Sequence, residues 1–149
     1  MKSASPLRTN SGSGITVLEL AIVLVVILSL VGIMLIGATA WRRVGDRAAC
    51  VINLRNLQSS VRAYQNLYGY NAGTMPYAEA GSQSIADHLV HKGYIDPGLH
   101  SQVKGEQSCP GGGRYAVPRE DVFPLPGSLY ANCSLADSRK HFIPGEADW

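Results

Sequence analysis

Apolar residues run from Leu20 to Ala40 without a charge, 21 positions interrupted only by Ser29, Gly32, Gly37 and Thr39. About 20 such residues in a helix cross a hydrocarbon core roughly 30 Å thick. The run is too long for the apolar region of a cleaved secretory signal, which holds about 7–15 residues. Trp41, Arg42 and Arg43 follow, an aromatic and two cations of the kind found at a membrane edge. The pattern then turns amphipathic. Val44, Ala48, Val51, Leu54, Leu57, Val61, Tyr64 and Tyr68 recur at steps of three or four, one stripe of a helix. Arg47, Asn53, Arg55, Asn56, Gln58, Arg62 and Gln65 fall on the other faces. The spacing predicts one helix from Ile15 to Tyr68, about 80 Å long, ended by Gly69. Gly45 is its weak point, where a membrane helix and a separate amphipathic helix would part.

The 81 residues after Tyr68 hold 11 Gly and 7 Pro, so short elements and many turns are expected. So small a domain buries little core alone, and would pack on the apolar stripe of the helix. Ser84 to His91 reads as one or two helical turns closed by Gly93, with Ser84 and Asp87 in a capping-box-like spacing. Ile85, Leu89 and Tyr94 would face inward. Arg114–Val117 and Ser128–Cys133 are strand candidates, with Pro118, Pro124 and Pro126 confining the stretch between them to a loop. The expected class is α+β: a long N-terminal helix on a small antiparallel sheet.

Glu19 stands at the mouth of the apolar run. An ionisable group within a spanning segment costs on the order of 2.5–3.5 kcal/mol, so it calls for a partner. An ordinary single-span anchor explains the length of the run and leaves Glu19 unexplained.

Gly14 before an apolar residue, Thr16, Glu19 at the fifth position after Gly14, and no further charge until Arg42 form a combination. It resembles the N-terminus of the type IV pilin and type II secretion pseudopilin family. Ile15 stands where that family usually has Phe, and Ile36 where many members have Pro; Gly32 and Gly37 flank it. Further on, Cys109-Pro110-Gly111-Gly112-Gly113-Arg114-Tyr115, then Cys133-Ser134 and His141-Phe142-Ile143-Pro144, resemble a pseudopilin-like subfamily with a CPxGGxY segment and a later CS…H.xP segment.

The resemblance implies a leader, residues 1–14, cut by a membrane prepilin peptidase between Gly14 and Ile15, with methylation of the new amine. It implies a filament-core and membrane helix over residues 15–41, its amphipathic continuation over 42–68, and a loop-rich globular domain over 69–149. In a staggered bundle of such helices, the freed amine of one chain meets Glu19 of the next; a buried charge is tolerable when paired. The implied function is a structural subunit of a secretion pseudopilus or pilus-like fibre. Its partners would be pilin-like subunits and an inner-membrane platform protein, first in the inner membrane and then in a periplasmic or extracellular filament. No enzyme activity, cofactor or metal is expected. The alternatives are a minor pilin binding DNA or an adhesion target, and a plain single-span anchored periplasmic domain.

Cys109 and Cys133 are expected to form a disulfide. They lie 24 positions apart, near the ends of neighbouring strand candidates. Closing such a loop stabilises by roughly 3–3.5 kcal/mol in the chain-entropy model. Cys50 is left over on the helix, as a buried thiol or as a partner for one of the other two.

Other chemistry has little to stand on. Cys109 with His100 or His141 lacks a third, orienting group. His88 and His91, at i and i+3, lack a third ligand and are expected to be solvent-exposed. Gly111–Gly113 lacks the Lys-Ser/Thr ending of a phosphate loop. Asp87, Asp96, Glu120 and Asp121 form no recognisable calcium loop. The net charge of +2 falls to zero once residues 1–14 take Lys2 and Arg8 away, leaving 11 basic and 11 acidic residues. That gives no general reason to expect nucleic-acid binding. Arg114, Arg119, Arg139 and Lys140 are scattered among Glu120, Asp121 and Asp137. Orientation sets two rules against each other. Arg42, Arg43 and Arg47 outnumber Lys2 and Arg8, which on charge alone keeps the C-terminal side cytoplasmic. The family resemblance, the three cysteines and the loop-rich tail imply the reverse.

Overall fold

The structure is a computed structural model that describes residues 16–145. The first element, α1, spans Val17–Tyr68 and passes through Gly45 as helix. The chain divides into two compact units, one up to Ala40 and one from Trp41.

In the first unit every residue from Thr16 to Ala40 is exposed. Leu18, Ile33, Met34 and Ile36 are each about two-thirds exposed or more. This part of α1 is long and apolar enough to cross a membrane, by length and composition. Ser29 and Thr39 return their hydroxyls to the carbonyls of Val26 and Ile36, so these two polar groups are satisfied within the helix.

In the second unit α1 buries Cys50, Leu54, Leu57, Gln58, Val61, Tyr64 and Gln65. The buried stripe therefore begins at Cys50, and Val44 and Ala48, expected within it, are exposed. Gln58 and Gln65, expected on polar faces, are buried. The loop before β2 explains Gln58: its amide donates to the Ser128 carbonyl at 3.2 Å and accepts from the Tyr130 N–H at 2.8 Å. A primary amide matches unpaired backbone in both directions, so burial costs it little.

Two short helices follow, α2 over Ile85–His91 and α3 over Pro97–Val103. Ser84 is the N-cap of α2, yet its side chain makes no cap bond and its buried hydroxyl has no partner among the described residues. Asp87 is instead taken up by Ser82 and His100. For α3, Asp96 accepts from the Leu99 N–H and Pro97 occupies the first turn, where its missing N–H costs nothing. The strands are shorter than the sequence suggests: β1 is Tyr115–Ala116 and β2 is Asn132–Cys133, paired antiparallel with Tyr115 opposite Cys133. A last helical turn, α4, covers Ala136–Arg139. A long apolar helix with a small two-stranded antiparallel sheet is an α+β layout.

The core of the second unit is one cluster. At one end Tyr64, Tyr70, Tyr94 and Phe123 pack ring on ring, with Tyr70 and Phe123 stacked at 5.0 Å. At the other end are Cys50, Cys109, Tyr115 and Cys133.

Candidate functional site

Two places carry chemistry. The first is the start of α1. Gly14 and Ile15, the expected processing positions, lie outside the described residues. Thr16 and Glu19 form a reciprocal capping box. The Thr16 N–H donates to Glu19 Oε2 at 2.9 Å, and the Glu19 N–H donates to Thr16 Oγ1 at 3.2 Å. The Thr16 hydroxyl also donates to Glu19 Oε2 at 3.0 Å. The carboxylate expected to await a neighbouring chain thus has a use within its own. The sequence reading missed this box, although the spacing Thr16-Val17-Leu18-Glu19 ahead of an apolar run is its local signature.

The second place is a buried cluster assembled from four separate segments. Cys50 comes from α1, Cys109 from the loop after α3, Cys133 from β2, and His141 from the chain just beyond α4. One ligand-type atom of each lies within 4.8 Å of those of the others. None of the four side chains is more than 4% exposed. Cys109 Sγ and Cys133 Sγ are 3.7 Å apart, and Cys133 Sγ is 3.9 Å from His141 Nδ1. All three cysteines are free thiols here, with Cys50, the residue left over by the expected disulfide, joining the other two.

Local backbone explains the convergence. The Cys109 N–H donates to the Gly113 carbonyl, and the Gly112 N–H donates back to the Cys109 carbonyl, both at 2.8 Å. Gly112 takes φ +82°, a left-handed turn that suits glycine. Gly111 passes so close to His141 that an added Cβ would lie 2.4 Å from the ring. Within this turn the Gly113 N–H donates to Cys109 Sγ at 3.2 Å, and the Leu135 N–H donates to Cys133 Sγ at 3.5 Å. Lys140, left-handed at φ 57°, ends α4 and returns His141 to the core, where its N–H donates to the Leu135 carbonyl.

Two guanidiniums hold the rim. Arg47 donates to the Lys140 carbonyl at 2.9 Å, and Arg139 donates to the Gly111 carbonyl at 3.2 Å. Burial pushes the Cys50 thiol far above its ordinary range and raises Cys133 as well. Burial, with the charges of Arg139 and Arg47, lowers His141. The result is a buried donor set of three sulfurs and one imidazole.

No family model, curated protein or solved structure matches this chain.

The histidines divide. His91 is exposed, as expected, whereas His88 is buried. Its Nε2 donates to the Ser82 carbonyl at 3.0 Å, so its Nδ1 accepts from the Tyr64 hydroxyl, also at 3.0 Å. Both ring nitrogens are satisfied, and His88 is a core residue. Asp87 binds His100 at 2.8 Å, and Lys104 joins Asp87 to Glu120. This surface network ties α2, α3 and the loop before β2 together. Arg114, Arg119, Arg139 and Lys140 are all exposed. The cysteine and histidine set escaped sequence reasoning because its members are 59, 24 and 8 positions apart, without the close ligand pairs of common zinc motifs.

Proposed function

We propose that this chain is a structural subunit of a pilin-like filament, of the secretion pseudopilus or pilus type. It is made as an inner-membrane protein with a leader over residues 1–14 and cut between Gly14 and Ile15. Subunits then associate through the apolar part of α1, with the second unit on the filament surface. Its partners are further pilin-like subunits, the prepilin peptidase and a platform protein.

The observation that carries the reading is the uncovered apolar surface of α1 up to Ala40, entered through Thr16 and Glu19. Such a surface needs lipid or other helices around it. A filament supplies helices after the membrane has supplied lipid. The carboxylate at its entrance gives those helices a preferred register, because a neighbour's amine placed there neutralises it.

The test is the intact mass and N-terminal sequence of the chain purified from its native host. The expected product begins at Ile15 and carries a methylated amine. A product that retains Met1 removes the filament reading and leaves a plain anchored domain, in which the Thr16–Glu19 box already gives the carboxylate a use.

A further inference from the structure

We propose that Cys50, Cys109, Cys133 and His141 form a structural zinc site that clamps α1 to the sheet and to the chain beyond α4. A tetrahedral zinc with Zn–S bonds of about 2.3 Å sets its sulfurs about 3.8 Å apart, and sulfur and imidazole nitrogen about 3.6 Å apart. The corresponding separations are 3.7 Å for Cys109 with Cys133 and 3.9 Å for Cys133 with His141. All four ligand-type atoms lie within 4.8 Å of one another, and three thiolates with an imidazole are a structural zinc donor set; calcium and magnesium take oxygen ligands instead.

The surroundings fit a bound dication with three thiolates. The N–H groups of Gly113 and Leu135 point at two of the sulfurs, and such donors stabilise thiolate charge and orient ligands. Zinc with three thiolates carries one net negative charge. Arg47 and Arg139 stand at the rim to offset it. Tyr115 Oη is buried without a hydrogen-bond partner among the described residues.

The competing use of the same residues is a Cys109–Cys133 disulfide. That pairing leaves the buried Cys50 thiol and the buried His141 imidazole without a function in the cluster. Zinc uses all four. Binding releases the three thiol protons to solvent and involves no change of oxidation state. Every ligand lies in the second unit, so the site stands or falls independently of leader processing.

The full-length chain is extracted from membranes in detergent and purified without chelator or reductant. Elemental analysis is expected to find one zinc per chain, and non-reducing peptide mapping three unpaired cysteines. Zinc near zero overturns the proposal, with or without a Cys109–Cys133 bond. After exchange with cobalt, the expected spectrum has intense visible bands of a tetrahedral ion and sulfur-to-cobalt charge transfer in the near ultraviolet. A pale octahedral spectrum overturns the site. His141→Cys supplies a fourth sulfur and is expected to retain the metal. His141→Ala and Cys50→Ser are expected to lose at least about 10-fold in zinc affinity against a chromophoric chelator. Zinc held equally well by both of these variants overturns the ligand assignment.

Discussion

Replacing Glu19 by Gln leaves an oxygen to accept the Thr16 N–H, since Gln serves in a capping box as Glu does, and removes only the charge. Replacing it by Leu removes both. The two substitutions therefore separate the intrachain role of Glu19 from the one proposed between chains. Both variants are expected in the membrane fraction, and both are expected to yield few or no filaments in shearing assays. Normal filament yield from Glu19→Gln means that the cap alone matters and no ionic contact guides assembly. Gln58 tests a different residue-scale debt. Gln58→Leu strands the Ser128 carbonyl and the Tyr130 N–H in the interior. Each unsatisfied group costs about 1–3 kcal/mol. Denaturant unfolding of the second unit, followed by tyrosine fluorescence, is expected to shift to clearly lower denaturant. An unchanged midpoint refutes the pairing.

At the scale of elements, α2 and α3 are too short to hold themselves and depend on caps and cross-ties. Asp96→Ala removes the side-chain acceptor for the Leu99 N–H and is expected to cost about 1 kcal/mol. Asp87 couples the two helices. Burial acts to raise its carboxyl, but hydrogen bonds from Ser82 and His100 and the charge of Lys104 outweigh it, and the net shift is downward. A lowered folded value means that the stabilisation is fully present above the unfolded value of about 3.9 and is lost as pH falls through the folded one. Asp87→Asn removes that acid-side dependence. The wild type is expected to lose more stability than this variant as pH drops below about 4. Parallel stability curves for the two proteins rule out the coupling.

Across the whole molecule the two units answer to different surroundings. From Thr16 to Ala40 the first exposes apolar side chains along a helix long and apolar enough to cross a membrane, by length and composition. The second is held by one core, with an aromatic end around Tyr64 and a sulfur-lined end around Cys50. Because that core is small, a clamp between distant segments matters to it. Chelation at neutral pH is expected to lower the thermal midpoint of the second unit markedly and to leave the helical circular dichroism of the first unit in place. Identical melting with and without chelator denies the clamp any structural weight.

Periodicity settled the long helix, its apolar and amphipathic parts, and its end at Gly69, because those follow from local spacing along one element. The Thr16-x-x-Glu19 box and the Asp96-Pro97 start of α3 carry local signals of the same kind, yet the sequence reading drew neither. The start of the buried stripe at Cys50, and the burial of Gln58 and His88, were not. Each depends on which loop backbone or hydroxyl comes to meet the side chain, and that is set by chain segments tens of residues away. The four-residue cluster is the extreme case. No local pattern joins Cys50 to His141; a turn through Gly112, a two-residue ladder and a left-handed Lys140 bring the ligand-type atoms of the cluster within 4.8 Å of one another. Local sequence determines elements through short-range sterics and hydrophobic spacing, whereas a site built from four segments exists only after loop closure and packing have placed them together.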